Sequence, residues 1–215
     1  MKTIMFFGDS LTWGYDAVSA RRYHPRERFT GILSERLQNC RIIEEGLKGR
    51  TNALDDPIEP GRNGYKALPM LLCTHDPIDI FVIMLGTNDV KRKFHNSAIE
   101  IAKALEMNIQ MVQTPYFWGG IKTPEILVVC PPGVNENYIG DIMEGYFDET
   151  SIKISKELGR EYQKVAETYK CWYMNAMEYT EPCKADGVHL DREGHKKLAE
   201  VLEKNLKKIL KTMVL

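Results

Sequence analysis

Short apolar runs rich in β-branched and aromatic residues recur along the chain: Thr3 to Phe7, Arg41 to Glu44, Ile78 to Leu85, Ile126 to Cys130 and Cys171 to Met174. Their length and composition predict five strands. Between them the period changes. Phe29, Leu33 and Leu37 form one set spaced three or four apart; Ile101, Leu105, Ile109 and Val112 form another, and Leu158, Tyr162, Val165 and Tyr169 a third. That spacing puts each set on one face of a helix. Ser97 followed by Glu100 has the spacing of a capping box, so the second of these helices should begin there. Near the end, Leu198, Leu202, Leu206 and Ile209 share a face, while Lys197, Lys204, Lys208 and Lys211 fall largely on others. This predicts an amphipathic helix lying over the sheet with solvated lysines. Strands alternating with helices require right-handed crossovers, which gives an α/β fold of three layers around a five-stranded parallel sheet. Ligands of such sheets bind beyond the carboxyl ends of the strands. The loops after Phe7, Glu45, Leu85, Cys130 and Asn175 are therefore where chemistry is expected.

Length and charge narrow the partner. With 215 residues the chain is expected to form one domain, and 43% hydrophobic residues supply a core and exclude overall disorder. Lys plus Arg is 29 and Asp plus Glu is 30, for a formal charge of −1. That balance argues against nucleic-acid or membrane-surface binding and for a small-molecule partner. Cys40, Cys73, Cys130, Cys171 and Cys183 are scattered, without a CxxC pair, and read as reduced thiols rather than a disulfide framework or zinc site. The first apolar run is too brief for a signal peptide or membrane span, so a cytoplasmic location is expected.

Four loops carry unusual polar content. Gly8-Asp9-Ser10-Leu11-Thr12-Trp13-Gly14 places a serine hydroxyl at the end of the first strand. Ser10 there is a candidate nucleophile, although serine after aspartate is also ordinary cap or turn chemistry. Asp186-Gly187-Val188-His189 sets a carboxylate three residues before an imidazole, so the acid can hold the Nδ1 proton while Nε2 faces outward as a base. Met84-Leu85-Gly86-Thr87-Asn88-Asp89 offers the Asn88 amide as a fixed donor for a developing oxyanion, or equally a polar turn. Glu44 to Thr51 contains Gly46 and Gly49, whose N–H groups can approach a ligand; alone, this is a simple loop.

Taken together and in order, these blocks resemble the SGNH (GDSL-type) hydrolases, in which a serine, a glycine, an asparagine and a histidine come from separate sequence blocks. Ser10 matches the first, Gly49 the second, Asn88 of GTND the third, and Asp186 with His189 the last. The strings GDSLTWG, EEGLKGRT with the following Asp55-Asp56-Pro57, and IMLGTND look most like the small arylesterase and acyltransferase branch. The resemblance implies a flavodoxin-like fold and an ester hydrolase acting through an acyl-enzyme at Ser10, with Asp186 and His189 completing the triad. It implies an oxyanion hole of the Ser10 N–H, the Gly49 N–H and the Asn88 side-chain amide, with no metal and no cofactor. The branch often forms oligomers that narrow the entrance, which leaves a homo-oligomer open here.

Trp13, Tyr15 and Tyr138 are the candidate substrate-binding residues, and crowding by the first two motivates a short-acyl preference. Two aromatic loops are further candidates for pocket walls: Tyr116-Phe117-Trp118, and residues 138–147 with Ile139, Ile142, Met143 and Tyr146. Both also fit buried packing. His24, His75, His95 and His195 have no triad-like companions and are expected to be surface or structural, and Arg50 is expected in an exposed pair with Asp55 or Asp56. Two alternatives stay open: a metal-dependent phosphoesterase using Asp9, Asn88, Asp89, Asp186 and His189, and a non-catalytic binding module of the same fold. Hydrolysis against acyl transfer is not decided by residue type.

Overall fold

The computed structural model describes residues 1–119, 122–140 and 143–213. In chain order the strands are β1 (Lys2–Gly8), β2 (Tyr15–Asp16), β3 (Arg21–Arg22), β4 (Cys40–Gly46), β5 (Ile80–Met84), β6 (Glu125–Cys130) and β7 (Trp172–Asn175). The helices are α1 (Ser10–Trp13), α2 (Phe29–Arg36), α3 (Gly64–His75), α4 (Ala98–Val112), α5 (Glu149–Thr168) and α6 (Arg192–Thr212). The five expected strands form a parallel sheet in the order β4-β1-β5-β6-β7, and β2 and β3 make a separate antiparallel ribbon.

Alternation along the strands explains the layers. Met5, Phe7, Phe81, Ile83, Ile126 and Val128 point to one face, where they pack with Leu68 and Leu72 of α3, Ile101 and Leu105 of α4, and Leu158 and Tyr162 of α5. Ile4, Phe6, Ile80, Val82, Leu127 and Val129 point to the other, against Phe29 and Leu33 of α2 and Leu198, Leu202 and Leu206 of α6. Covering both faces is what makes the strand sequences continuously apolar. Fully burying one such side chain contributes about 1.5–3 kcal/mol before the entropy of ordering it.

The capping box forms as expected: the Ser97 hydroxyl accepts from the Glu100 N–H and the Glu100 carboxylate accepts from the Ser97 N–H. Helix α3 is hidden in the sequence pattern, because Pro69 lies inside it and proline ordinarily reads as a break. The loop carrying Tyr116-Phe117-Trp118 joins α4 to β6, so it enters a strand rather than leaving one. It therefore belongs to the amino edge of the parallel sheet, away from the strand ends that carry Ser10. Trp118 is buried there, its indole N–H donating to the Val112 carbonyl at 2.7 Å, and Tyr116 is exposed. This corrects the expectation that the segment shapes substrate choice. Among the described residues no helix is long and apolar enough to cross a membrane.

Candidate active site

Parallel pairing brings Gly8, Gly46 and Met84 to one level, so the loops after β1, β4 and β5 open side by side. Asp9 caps α1, its carboxylate accepting from the Leu11 N–H at 2.9 Å, and this single helical turn lifts Ser10 above the strand ends. Gly46 lets α1 lie across the sheet edge: a Cβ there would stand 2.3 Å from the Trp13 nitrogen.

The Asp186 and His189 side chains arrive from the loop before α6. One Asp186 oxygen accepts from the N–H groups of Val188 (3.0 Å) and His189 (2.9 Å), and the other lies 2.5 Å from His189 Nδ1. Burial alone would raise the Asp186 carboxyl, but the His189 ring and these two N–H groups outweigh it and hold the acid below the usual carboxylate range. With Nδ1 donating to Asp186, Nε2 is free to accept, and it lies 2.8 Å from Ser10 Oγ. Gly187 makes the bend between acid and base. It sits at φ +68°, and a Cβ there would meet the Tyr138 nitrogen at 2.6 Å.

Asn88 and Gly49 reach the same place. The Asn88 side-chain amide donates to the Arg50 carbonyl at 3.1 Å and points a longer contact of 3.4 Å at Asp9. Gly49, Asn88, Ser10 and His189 all line one cavity of roughly 270 Å³. Its apolar side is formed by Tyr15, Met143, Tyr146, Phe147 and Val188, with the Tyr15 ring centroid 4.5 Å from that of His189. A groove at the opposite end of the sheet, between residues 122–126 and 168–171, contains none of these groups.

Several expectations need correction. Tyr138 is buried in the core rather than on the pocket wall, the short turn at Glu136–Tyr138 placing it in the same apolar cluster as Val134 and Phe147. Trp13 does not line the cavity. It packs against Tyr15 with ring centroids 6.4 Å apart. Of residues 138–147, Met143, Tyr146 and Phe147 reach the cavity, Ile139 is exposed, and Ile142 lies outside the described residues. Arg50 is not in an exposed pair. It is buried over the Phe7 ring at 4.4 Å and donates to the carbonyls of Gly8 (3.1 Å) and Glu45, tying the ends of β1 and β4 together. Asp55 and Asp56 pair instead with Lys66 and Lys93.

Beneath the site runs a buried polar network that motif reading missed. The Asp89 carboxylate accepts from the Asn52 N–H at 2.9 Å, Asn52 Nδ2 donates to the Tyr162 hydroxyl at 3.1 Å, and that hydroxyl donates to the Leu85 carbonyl at 3.0 Å. Burial pushes the Asp9 carboxyl up to about 6 and the Asp89 carboxyl up to about 7. The sequence signal was slight: Asp9 and Asp89 flank the marked residues, but nothing local points to Asn52. His24 and His95 are exposed, His75 pairs with Glu45 at 2.7 Å, and His195 is fully buried beside Phe29. The donor set for the metal-dependent alternative does not assemble: among the described residues no three His, Cys, Asp or Glu side chains are grouped to hold an ion.

The family model for GDSL-like lipases and acylhydrolases matches residues 6–197. Est24, a carbohydrate acetylesterase from Sinorhizobium meliloti, superimposes with a TM-score of 0.92 at 35% identity, covering 97% of this chain and 100% of that one. The aryl esterase of M. smegmatis does so with a TM-score of 0.90 at 32% identity, covering 97% and 100%. The lipase/acylhydrolase of Enterococcus faecalis shares the fold, with a TM-score of 0.69 at 19% identity over 97% of this chain and 96% of its own. A search of curated proteins finds no match. With four ordered motifs at the strand ends and a match running from β1 into α6, the chain belongs to the GDSL-like lipase/acylhydrolase family.

Proposed function

We propose that this protein is a serine esterase that cleaves small carboxylic esters bearing short acyl groups, with Ser10 as nucleophile, His189 as base and Asp186 as its orienting partner. The observation that carries the reading is the continuous relay from Ser10 Oγ through His189 to Asp186, at 2.8 and 2.5 Å, opening into a cavity. Ser10 Oγ attacks the ester carbonyl, and its proton passes to His189 Nε2 as the new C–O bond forms. The oxyanion takes hydrogen bonds from the N–H groups of Ser10 and Gly49 and from Asn88 Nδ2. Collapse of the adduct breaks the bond to the alcohol, which leaves with the proton held by His189. Water then adds to the acyl-enzyme by the same route, releasing the acid and restoring Ser10; an alcohol in place of water yields a new ester.

The small cavity and the aromatic wall of Tyr15, Tyr146 and Phe147 support the short-acyl preference, as do relatives named as an acetylesterase and an aryl esterase. The test is a series of p-nitrophenyl esters from acetate to octanoate, with and without added alcohol, comparing wild type with Ser10→Ala. Acetate should turn over fastest and Ser10→Ala should lose activity. Equal rates for the two proteins would remove Ser10 from the mechanism, and faster octanoate hydrolysis would remove the short-acyl assignment.

A further inference from the structure

One wall of the cavity carries Lys48, Arg62 and Lys91 against a lone carboxylate, Glu59, an excess of positive charge in a chain whose formal charge is −1. Lys48 is exposed and rests over the Trp13 and Tyr15 rings at 4.9 and 5.8 Å. Arg62 is held by Glu59 at 3.2 Å. Lys91 differs from both. Only 9% of it is exposed, yet among the described residues no carboxylate lies within ion-pair distance of its ammonium. The acids nearest in charge are already engaged: Glu59 with Arg62, Asp56 with Lys93, and Asp9 with the Leu11 N–H and the Asn88 amide. What Lys91 does have is the Tyr146 ring, 5.5 Å from Nζ.

The Lys91 stem is covered while its Nζ keeps contact with the solvent of the cavity, where a ring face contributes about 0.5–2 kcal/mol. Burial accordingly shifts the Lys91 ammonium below its ordinary pKa, with Lys93 adding repulsion and Glu59, Asp56 and Asp9 opposing it. A residue used only for packing at this position needs no charge. A cation kept there, three residues past Asn88 on the same loop and lining the same cavity, suits a ligand that brings the missing anion.

We propose that Lys91 is a specificity-determining residue that selects esters carrying a second, anionic group, a carboxylate on either the acyl or the alcohol portion. The inference rests on the esterase reading of the site and names the substrate class within it. In the complex the Lys91 ammonium donates to that carboxylate, while Ser10 and His189 act on the ester carbonyl.

The experiment compares kcat/KM for two matched pairs, each corrected for its uncatalysed rate. Mono-p-nitrophenyl glutarate against its methyl ester places the charge on the acyl portion; 4-acetoxybenzoate against its methyl ester places it on the alcohol portion. Wild type should favour the anion in one pair, which identifies the side that Lys91 serves. That preference should fall about tenfold or more in Lys91→Gln and persist in Lys91→Arg, because a charge-assisted hydrogen bond is lost in the first and kept in the second. Anion-to-neutral ratios at or below one for both pairs in wild type would overturn the inference, whether or not Lys91→Gln folds. A preference unchanged in Lys91→Gln would also overturn it. Either result leaves the esterase reading intact so long as the neutral esters turn over through Ser10. Absence of any Ser10-dependent turnover would remove that reading and the inference with it.

Discussion

Asn88 Nδ2 gives one hydrogen to the Arg50 carbonyl at 3.1 Å, which sets the orientation of the amide before a substrate arrives, and its second hydrogen, in only a long 3.4 Å contact with Asp9, is the one an oxyanion can take. Preorganised donors of this kind stabilise charge that develops only in the transition state. Asn88→Ala should therefore lower kcat on p-nitrophenyl acetate by roughly 10²–10³ with a much smaller change in KM. It should also destabilise the fold by about 1–3 kcal/mol in urea unfolding, because the buried Arg50 carbonyl loses its donor. A kcat within a factor of about three of wild type would take Asn88 out of the oxyanion hole. Residues of this sort were legible in the sequence because their chemistry is local: an acid three before a histidine, an amide after a glycine. Arg50 was not, since its acceptors on Gly8 and Glu45 become neighbours only when β1 and β4 pair. Tyr138 and Tyr146 are equivalent as letters, and only the turn at Glu136–Tyr138 decides that one ring is buried while the other meets the cavity.

Elements were read best where one physical cause dominated. Burial on both faces wrote β1, β5 and β6 as unbroken apolar runs, and the capping box marked the start of α4 within a residue. Ser97→Ala should cost about 1 kcal/mol of thermal or denaturant stability and leave esterase kinetics untouched, because the cap lies on an exposed helix start. The element that holds Ser10 shows no such signal. Helix α1 is a single turn of four residues, too brief to show a period, and it exists because Asp9 caps it and Gly46 makes room. Gly46→Ala should therefore displace Ser10 from His189, seen as a large loss of kcat together with lowered stability. Full activity in a folded Gly46→Ala protein would show that α1 can move off the sheet edge without harm. The aromatic segment at 116–118 was misjudged for a topological reason: hydrophobicity says nothing about which edge of a parallel sheet a loop occupies, whereas its place before β6 does.

At the scale of the molecule, three buried ionisable groups set opposing responses to acid. Burial pushes His195 down to about 4, so between about 6.5 and 4 the unfolded chain binds a proton that the native state refuses, and stability falls as pH falls through that window. Asp9 and Asp89 act the other way. Their native carboxyls, raised to about 6 and about 7, keep protons that the unfolded chain releases near 3.8, so their contribution is present in acid and lost as pH rises. His195→Gln, which keeps an acceptor for the Phe29 N–H, removes the first response and leaves the second. Its stability relative to wild type should improve by up to roughly 3 kcal/mol on going from neutral pH to pH near 4, read from urea midpoints. A difference that does not vary with pH would mean that His195 is protonated alike in both states.

Ser10 and His189 stand 179 positions apart in the chain and touch only through the finished sheet. Synthesis runs from the serine toward the imidazole, so β4, β5, β6 and β7 are all made before His189 exists. Across those 179 positions a nascent chain carries an inert hydroxyl, and esterase activity appears as an all-or-none reporter that β1 and the loop before α6 have met over the sheet.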